Sequence, residues 1–119
     1  MRVMVIGAST HAEKYGHRAV RAYLAQGHDV FPVHPTADEI LGLPAFATIA
    51  AVPGPIDRAT LYVPADIGLT LVDDLAARGD VDEVWLNPGS ESPELVAALT
   101  ERGLAPIQAC SIIDIGAMP

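Results

Sequence analysis

The sequence has little that would mark a secreted or membrane-bound protein. It holds one cysteine in 119 residues, Cys110, so no internal disulfide can form and we expect a reducing, cytoplasmic location. Its first apolar run is too short for a secretory signal, and no run approaches the roughly 20 residues that cross a bilayer. Because half of the residues are apolar and 18% are charged, we expect one globular domain over residues 1–119.

Positive charge is also scarce, and it is unevenly placed. The net charge of −8 argues against nucleic acid as a partner. Residues 1–28 nevertheless hold four basic side chains against one acid, whereas residues 29–119 hold three against fourteen. This distribution indicates that the first segment is reserved for an anion, although uneven surface charge can also arise by chance.

Short apolar runs alternate with helical patterns along the whole chain. The apolar runs predict strands at 2–7, 29–35, 57–63, 83–87 and 105–110. Helical spacing predicts helices at 15–26, 66–79 and 92–103, with Ser92 as N-cap of the last, and a short helix near 49–52. Since strand–helix alternation is typical of a parallel sheet covered on both faces, we predict an α/β, Rossmann-like, doubly wound domain of about five parallel strands.

The residues that follow the predicted strands form the candidate site, because ligands bind such sheets at the carboxyl ends of the strands. These residues are mostly small and polar, so we assign no catalytic residue and favour a protein that is not an enzyme. Gly7, Ala8 and Ser9 follow the first strand and suit a phosphate, since their backbone N–H groups can approach an anion near a helix N-terminus. Lys14 lies at the mouth of this turn and is the predicted cation. It shares a face with Arg18 and Arg21 if the helix includes it.

The first turn departs from the glycine fingerprint of dinucleotide-binding proteins. G-x-G-x-x-G would place glycines at positions 9 and 12, where this chain has Ser9 and Ala12. The acid that holds the adenosine ribose at the end of the second strand is replaced by His34 and Pro35. A ribose that carries phosphate has no use for that acid because like charges repel, so the pattern disfavours NAD.

Several short segments together resemble the small, stand-alone CoA-binding domain proteins, which are relatives of the CoA-binding domain of the succinyl-CoA synthetase alpha subunit. The segments are GAS at 7–9, EKYG at 13–16, VFPVHP at 30–35, ILGLPAF at 40–46, YVP at 62–64 and LNPGSES at 86–92. The resemblance covers nearly the whole chain and keeps the landmarks in order. It implies a Rossmann-like domain that binds coenzyme A or an acyl-CoA, without catalysis, by cradling its ADP part.

The resemblance also implies a set of ligand-binding residues. Gly7, Ala8 and Ser9 would face the phosphates with Lys14 as their cation, while His34 and Pro35 would border the adenosine. Val63 and Pro64 would line the cleft, and its far wall would be formed by Asn87, Pro88 and Gly89. The family often has Asn where this chain has His34, and of its final Asp-Arg-Cys-like stretch only Cys110 is kept. The catalytic histidine of the synthetase belongs to a further domain, so phosphoryl transfer is not implied.

Two other functions stay open at the level of sequence. The chain fits an NAD(P)-binding oxidoreductase domain, or an interaction subunit that keeps the fold without a ligand. Cys110 has no basic partner nearby and is predicted to be a small buried thiol. The four histidines lack the i, i+4 spacing of metal ligands, so we expect no metal. A homo-oligomer or an unidentified protein partner is compatible with the sequence.

Overall fold

A computed structural model describes all 119 residues of the chain. Its elements are β1 (Arg2–Ile6), α1 (Tyr15–Ala25), β2 (Asp29–Val33), β3 (Glu39–Ile40), β4 (Leu43–Pro44), β5 (Ile56–Leu61), α2 (Ala65–Arg78), β6 (Val81–Leu86), α3 (Pro93–Glu101), β7 (Pro106–Gln108) and α4 (Ser111–Asp114). None of the helices has the length and apolar character that crossing a bilayer requires.

Five of the strands form one parallel sheet in the order β2-β1-β5-β6-β7. This sheet confirms the predicted Rossmann-like α/β domain with five parallel strands. The strand order reverses at β1, because β2 lies on one side of it and the later strands follow on the other. The crevice above the carboxyl ends of β1 and β5 is therefore the place where such sheets bind ligands.

The core is divided between the two faces of the sheet by the two-residue period of the strands. Val3 and Val5 of β1 pack on one face with α1 and α4, whereas Met4 and Ile6 pack on the other face with α2 and α3. All four side chains are at most 2% exposed. β1 is thus a central strand buried on both faces, which fixes the loop that follows it over the middle of the sheet.

The longer helices begin and end close to the predicted residues. Ser92 is the N-cap of α3, and its Oγ accepts a hydrogen bond from the N–H of Leu95 at 3.1 Å. In α1, the predicted sheet-facing residues Ala19, Val20 and Tyr23 are all fully buried. The spacing of apolar residues therefore predicts both the extent and the orientation of these helices.

The segment before β5 differs from its prediction. Residues 49–52 form turns instead of a short helix, with the N–H of Ala51 bonded to Thr48 O and the N–H of Val52 bonded to Ile49 O. Ile49 and Val52 are buried in the core on the α2–α3 face. The spacing of Ile49 and Val52 resembles that of a helix because an irregular turn directs both side chains into the core.

Both edges of the sheet are poorly suited to further pairing. The β3–β4 hairpin lies beside β2, where His34 N–H bonds to Phe46 O and Phe46 N–H bonds to Pro32 O, both at 2.9 Å. β7 forms the opposite edge with three residues and begins at Pro106, which has no N–H. Short strands and proline are common features of protected sheet edges.

Candidate functional site

The loop between β1 and α1 presents a run of backbone N–H groups at the carboxyl end of β1. Among residues 8–16, only His11 and Lys14 donate their N–H within the protein, to Ser9 Oγ at 3.0 Å and to His11 O at 3.1 Å. The other seven N–H groups have no acceptor in the protein. Free N–H groups at the start of a helix attract anions, so this loop has the chemistry of a phosphate site.

Two glycines hold this loop close to its neighbours. Gly7 has a φ of +85°, and a Cβ there would lie 2.9 Å from the carbonyl carbon of Tyr62. A Cβ on Gly16, in the first turn of α1, would overlap the carbonyl oxygen of Gly7. Gly16 thus permits the close packing that the third fingerprint glycine provides in dinucleotide-binding folds. The fingerprint places this glycine at position 12, so comparison with the fingerprint does not identify Gly16. A glycine at the second position of a predicted helix is nevertheless a signal that the sequence contains.

Lys14 stands at the mouth of this loop. It is the N-cap of α1 and has extended backbone angles, so it lies outside the helix. The prediction that Lys14 shares a helical face with Arg18 and Arg21 required Lys14 to be in the helix, and it therefore fails. The Lys14 side chain is exposed and makes no hydrogen bond or ion pair, whereas the Arg18 guanidinium lies 5.1 Å from the centre of the Tyr15 ring. Lys14 therefore has its charge free for a ligand.

A cavity of about 450 Å³ opens beside the loop, at the carboxyl ends of the later strands. Tyr15, the first residue of α1, forms the wall that joins the loop to the cavity. Five residues of the predicted site come together around it: Val63, Pro64, Asn87, Pro88 and Gly89. The cavity is also lined by Tyr15, Tyr62 and Ser90, which lie in the segments EKYG, YVP and LNPGSES but are not among the predicted ligand-binding residues. Nothing in the local pattern marks the last two lining residues, Ile113 and Pro119.

A buried hydrogen-bond network supports the base of this cavity. The Nδ2 of Asn87 donates to Thr60 Oγ1 at 2.7 Å and to the carbonyl of Leu61 at 2.8 Å. Its Oδ1 accepts the N–H of Ser111 at 2.9 Å. The Ser111 hydroxyl lies 2.7 Å from Thr60 Oγ1 and 3.2 Å from the Tyr62 hydroxyl. The Asn87 side chain thus joins the ends of β5 and β6 to α4, and its amide group is fully engaged.

Two ionisable side chains in the cavity have contrasting surroundings. Burial raises the pKa of Tyr62 to about 12, even though hydrogen bonding with Ser111 and Thr60 opposes the shift. The phenol is therefore protonated at neutral pH. Cys110 lines the cavity and is half-buried, so the prediction of a buried thiol was wrong. The thiol reaches the cavity because Cys110 is the N-cap of α4, where the chain leaves β7 and turns back over the sheet.

His34 follows β2 directly, on the other side of β1 from the cavity. Its Nδ1 accepts hydrogen bonds from the N–H groups of Thr36 at 3.1 Å and Ala37 at 2.9 Å. Pro35 is exposed at the tip of this turn. The predicted residues thus extend along the carboxyl edge, from His34 past Gly7 to the cavity, and their contacts with a ligand stay a prediction.

A parallel sheet with an anion-suited loop at its switch point and a cavity beside it defines a Rossmann-like domain with a ligand cleft at the carboxyl edge. The sequence profile of the family described as "CoA binding domain" matches residues 1–115. The chain therefore belongs to this family of CoA-binding domains.

Known relatives include both small proteins and parts of large enzymes. The uncharacterized protein YneT of Bacillus subtilis is 28% identical over 102 residues, which are 86% of this chain and 75% of YneT. The ADP-forming acetate–CoA ligase II of Archaeoglobus fulgidus is 34% identical over 105 residues, but these cover only 16% of the ligase. The solved dinucleotide-forming acetyl-coenzyme A synthetase 1 of Ca. Korarchaeum cryptofilum, in complex with phosphate and ADP, gives a TM-score of 0.79 at 30% identity. That match covers 91% of this chain and 25% of the synthetase.

Proposed function

We propose that this protein binds coenzyme A, free or acylated, through the ADP part of the molecule and does not itself catalyse a reaction. The observation that carries this proposal is the run of unpaired backbone N–H groups in residues 8–16, beside the unpaired ammonium of Lys14. A diphosphate offers several anionic acceptor oxygens to such a loop. Membership of the CoA-binding family supports CoA as the nucleotide.

The position of the cavity supports an extended binding mode. With the diphosphate on the β1–α1 loop, the adenosine would lie towards His34 and Pro35 over β2. The pantetheine arm, with any acyl group, would then enter the cavity beside Val63 and Pro64. Bound CoA supplies a thiol that carries acyl groups, and this chain would hold and shield that end of the molecule.

The lining of the cavity supports a role in binding. No carboxylate, imidazole or amine side chain lines it, so its side chains do not include the general acids and bases that enzymes use most often. The Tyr62 phenol, with its pKa of about 12, stays neutral there and acts as a hydrogen-bonding group. For location we propose the cytoplasm, since the single Cys110 forms no internal disulfide.

A thermal-unfolding panel tests the proposal. A ligand that binds only the folded state adds roughly 2.7 kcal/mol of stability at 100 times its Kd, which gives a clear shift in Tm. We expect CoA to stabilise the protein most, dephospho-CoA less and NAD least. A larger shift with NAD would favour a dinucleotide-binding domain, and no shift with any of the three would favour an interaction subunit without a ligand.

A further inference from the structure

The turn after β2 places an imidazole where dinucleotide-binding folds place a ribose-binding carboxylate. We propose that His34 is a specificity-determining residue, whose Nε2–H recognises a phosphate group on the ribose of the bound adenosine. The inference rests on the proposed function, since it requires that an adenosine nucleotide binds at this edge of the sheet. Beyond the proposed function, the inference specifies that the site selects a ribose that carries phosphate and that the Nε2–H of His34 makes this selection.

The hydrogen bonds of the turn fix the tautomer of His34. Two backbone N–H groups, those of Thr36 and Ala37, point at Nδ1 at 3.1 and 2.9 Å. Nδ1 must then carry a lone pair, so the proton of the neutral ring is on Nε2. Nε2 makes no hydrogen bond within the protein and is not among its buried unpaired atoms. The turn therefore holds the ring as a donor whose N–H is free for a ligand.

A donor at this position has the opposite preference from a carboxylate. A carboxylate accepts hydrogen bonds from the ribose hydroxyls and repels a phosphate, whereas the Nε2–H of His34 matches the acceptor-only oxygens of a phosphate. The Thr36 hydroxyl, two residues further on, also makes no hydrogen bond in the protein and adds a second donor to the same turn. The nearest acids in the chain, Asp38 and Glu39, are exposed and bind neither residue.

The experiment compares the affinities of the full-length protein for CoA and for dephospho-CoA by calorimetry. His34→Asp keeps an oxygen acceptor for the two N–H groups of the turn, as in an Asx-turn, but replaces the donor with a negative charge. We expect the CoA to dephospho-CoA affinity ratio to fall by about ten- to a hundredfold, since a hydrogen bond to a charged group is lost. His34→Asn, which keeps the acceptor without the charge, should lower the ratio less.

His28→Asp is the matched control, because it makes the same exchange before β2, at the amino end of the strands. Its affinity ratio should stay within about twofold of that of the wild type, since its charge is distant and largely screened. A His34→Asp ratio equal to that of the wild type, or an equal fall in His28→Asp, would overturn the inference while CoA binding by the wild type stands. Failure of the wild type to bind either nucleotide would overturn the proposed function as well.

A measurement on the wild-type protein avoids any effect of the substitution on folding. The imidazole nitrogen resonances of His34 can be followed by NMR during titration with adenosine 3′,5′-bisphosphate and, separately, with ADP. We expect the Nε2 resonance to move with the first and to move far less with the second. Equal movement with both ligands would show that the imidazole does not distinguish the ribose phosphate, and the inference would fail.

Discussion

Lys14 and Arg21 carry the same charge in the molecule's first βα unit, yet only Lys14 borders the loop of free N–H groups. Both side chains are exposed and neither has an ion-pair partner. We expect Lys14→Ala to weaken CoA binding by about 1–3 kcal/mol, because a charge-assisted hydrogen bond to phosphate is removed. Calorimetry should show Arg21→Ala within a few tenths of a kcal/mol of the wild type. Equal losses in both variants would indicate a general charge effect instead of a local contact.

Asn87 acts on stability through the three groups that its amide bonds. Asn87→Ala leaves the N–H of Ser111 and the carbonyl of Leu61 without their side-chain partner in a buried site. We expect the free energy of unfolding in urea to fall by about 2–4 kcal/mol, whereas Gln108→Ala, which removes an exposed amide, changes it little. A loss below about 1 kcal/mol would show that water replaces the amide in the network.

Tyr62 should make stability depend on pH in the alkaline range. Its folded pKa, about 12, lies above the ordinary tyrosine value of 10.0, so the folded protein holds the proton more tightly than the unfolded chain does. The resulting stabilisation is complete below pH 10 and is lost as the pH rises towards 12, an effect of about 2–3 kcal/mol. Urea unfolding of Tyr62→Phe should lack this decline, while Tyr15→Phe, at an exposed ring, should retain it. The same slope in all three proteins would assign the decline to other groups.

At the scale of elements, the start of α1 depends on the absence of a side chain at Gly16. A methyl group there meets the backbone of Gly7 and Ala8, which cannot move without displacing the β1–α1 loop. In α2, a methyl group on Gly68 meets the flexible end of Leu95 at 2.9 Å. We therefore expect Gly16→Ala to destabilise the protein by about 1–3 kcal/mol and to weaken CoA binding, and Gly68→Ala to have a smaller effect because helix propensity offsets the contact. Thermal unfolding and calorimetry measure both effects, and an equal or larger loss in Gly68→Ala would contradict this account.

The elements that the sequence predicts are those with several turns or a long buried run. The predicted ends of α1, α2 and α3 differ from the observed ends by no more than two residues. Each of these helices shows apolar spacing over two or more turns. The two strands of the β3–β4 hairpin contain two residues each and α4 contains four, too few for a period to appear. They are held by tertiary contacts, such as the packing of Ile40 of β3 and Ile112 of α4 in the core, which no local pattern encodes.

The candidate site also has a part that the sequence predicts and a part that only the fold reveals. The loop at Gly7 and its cation Lys14 follow directly from a strand, a small-residue turn and a helix. The contact between Gly16 and Gly7, and the bond between Asn87 and Ser111, join residues that are 9 and 24 positions apart. Only the folded chain reveals such pairs, and they decide which side chains support the site and which remain free for a ligand.

At the scale of the whole molecule, a buried arginine links the sheet to two helices. The Arg58 guanidinium bonds to Tyr23 of α1, Glu83 of β6 and Asp114 of α4, and it lies 4.2 Å from the centre of the Trp85 ring. Because these contacts connect one face of the sheet to both of its helices, we expect the domain to unfold in a single step. Trp85 fluorescence and far-ultraviolet circular dichroism should give the same urea midpoint. Separate midpoints would show that α4 and its surroundings detach first.

The two edges of the sheet have a consequence for concentrated solutions. An incoming strand that approaches β7 meets only three residues, and the missing donor of Pro106 interrupts the hydrogen-bond ladder at its first rung. On the opposite side Phe46, two residues after β4, bonds to the end of β2 and occupies that part of its edge. Both margins therefore limit the strand pairing through which copies of the chain could stack, so the protein should form fibres through its native sheet less readily than a protein with a long free edge strand.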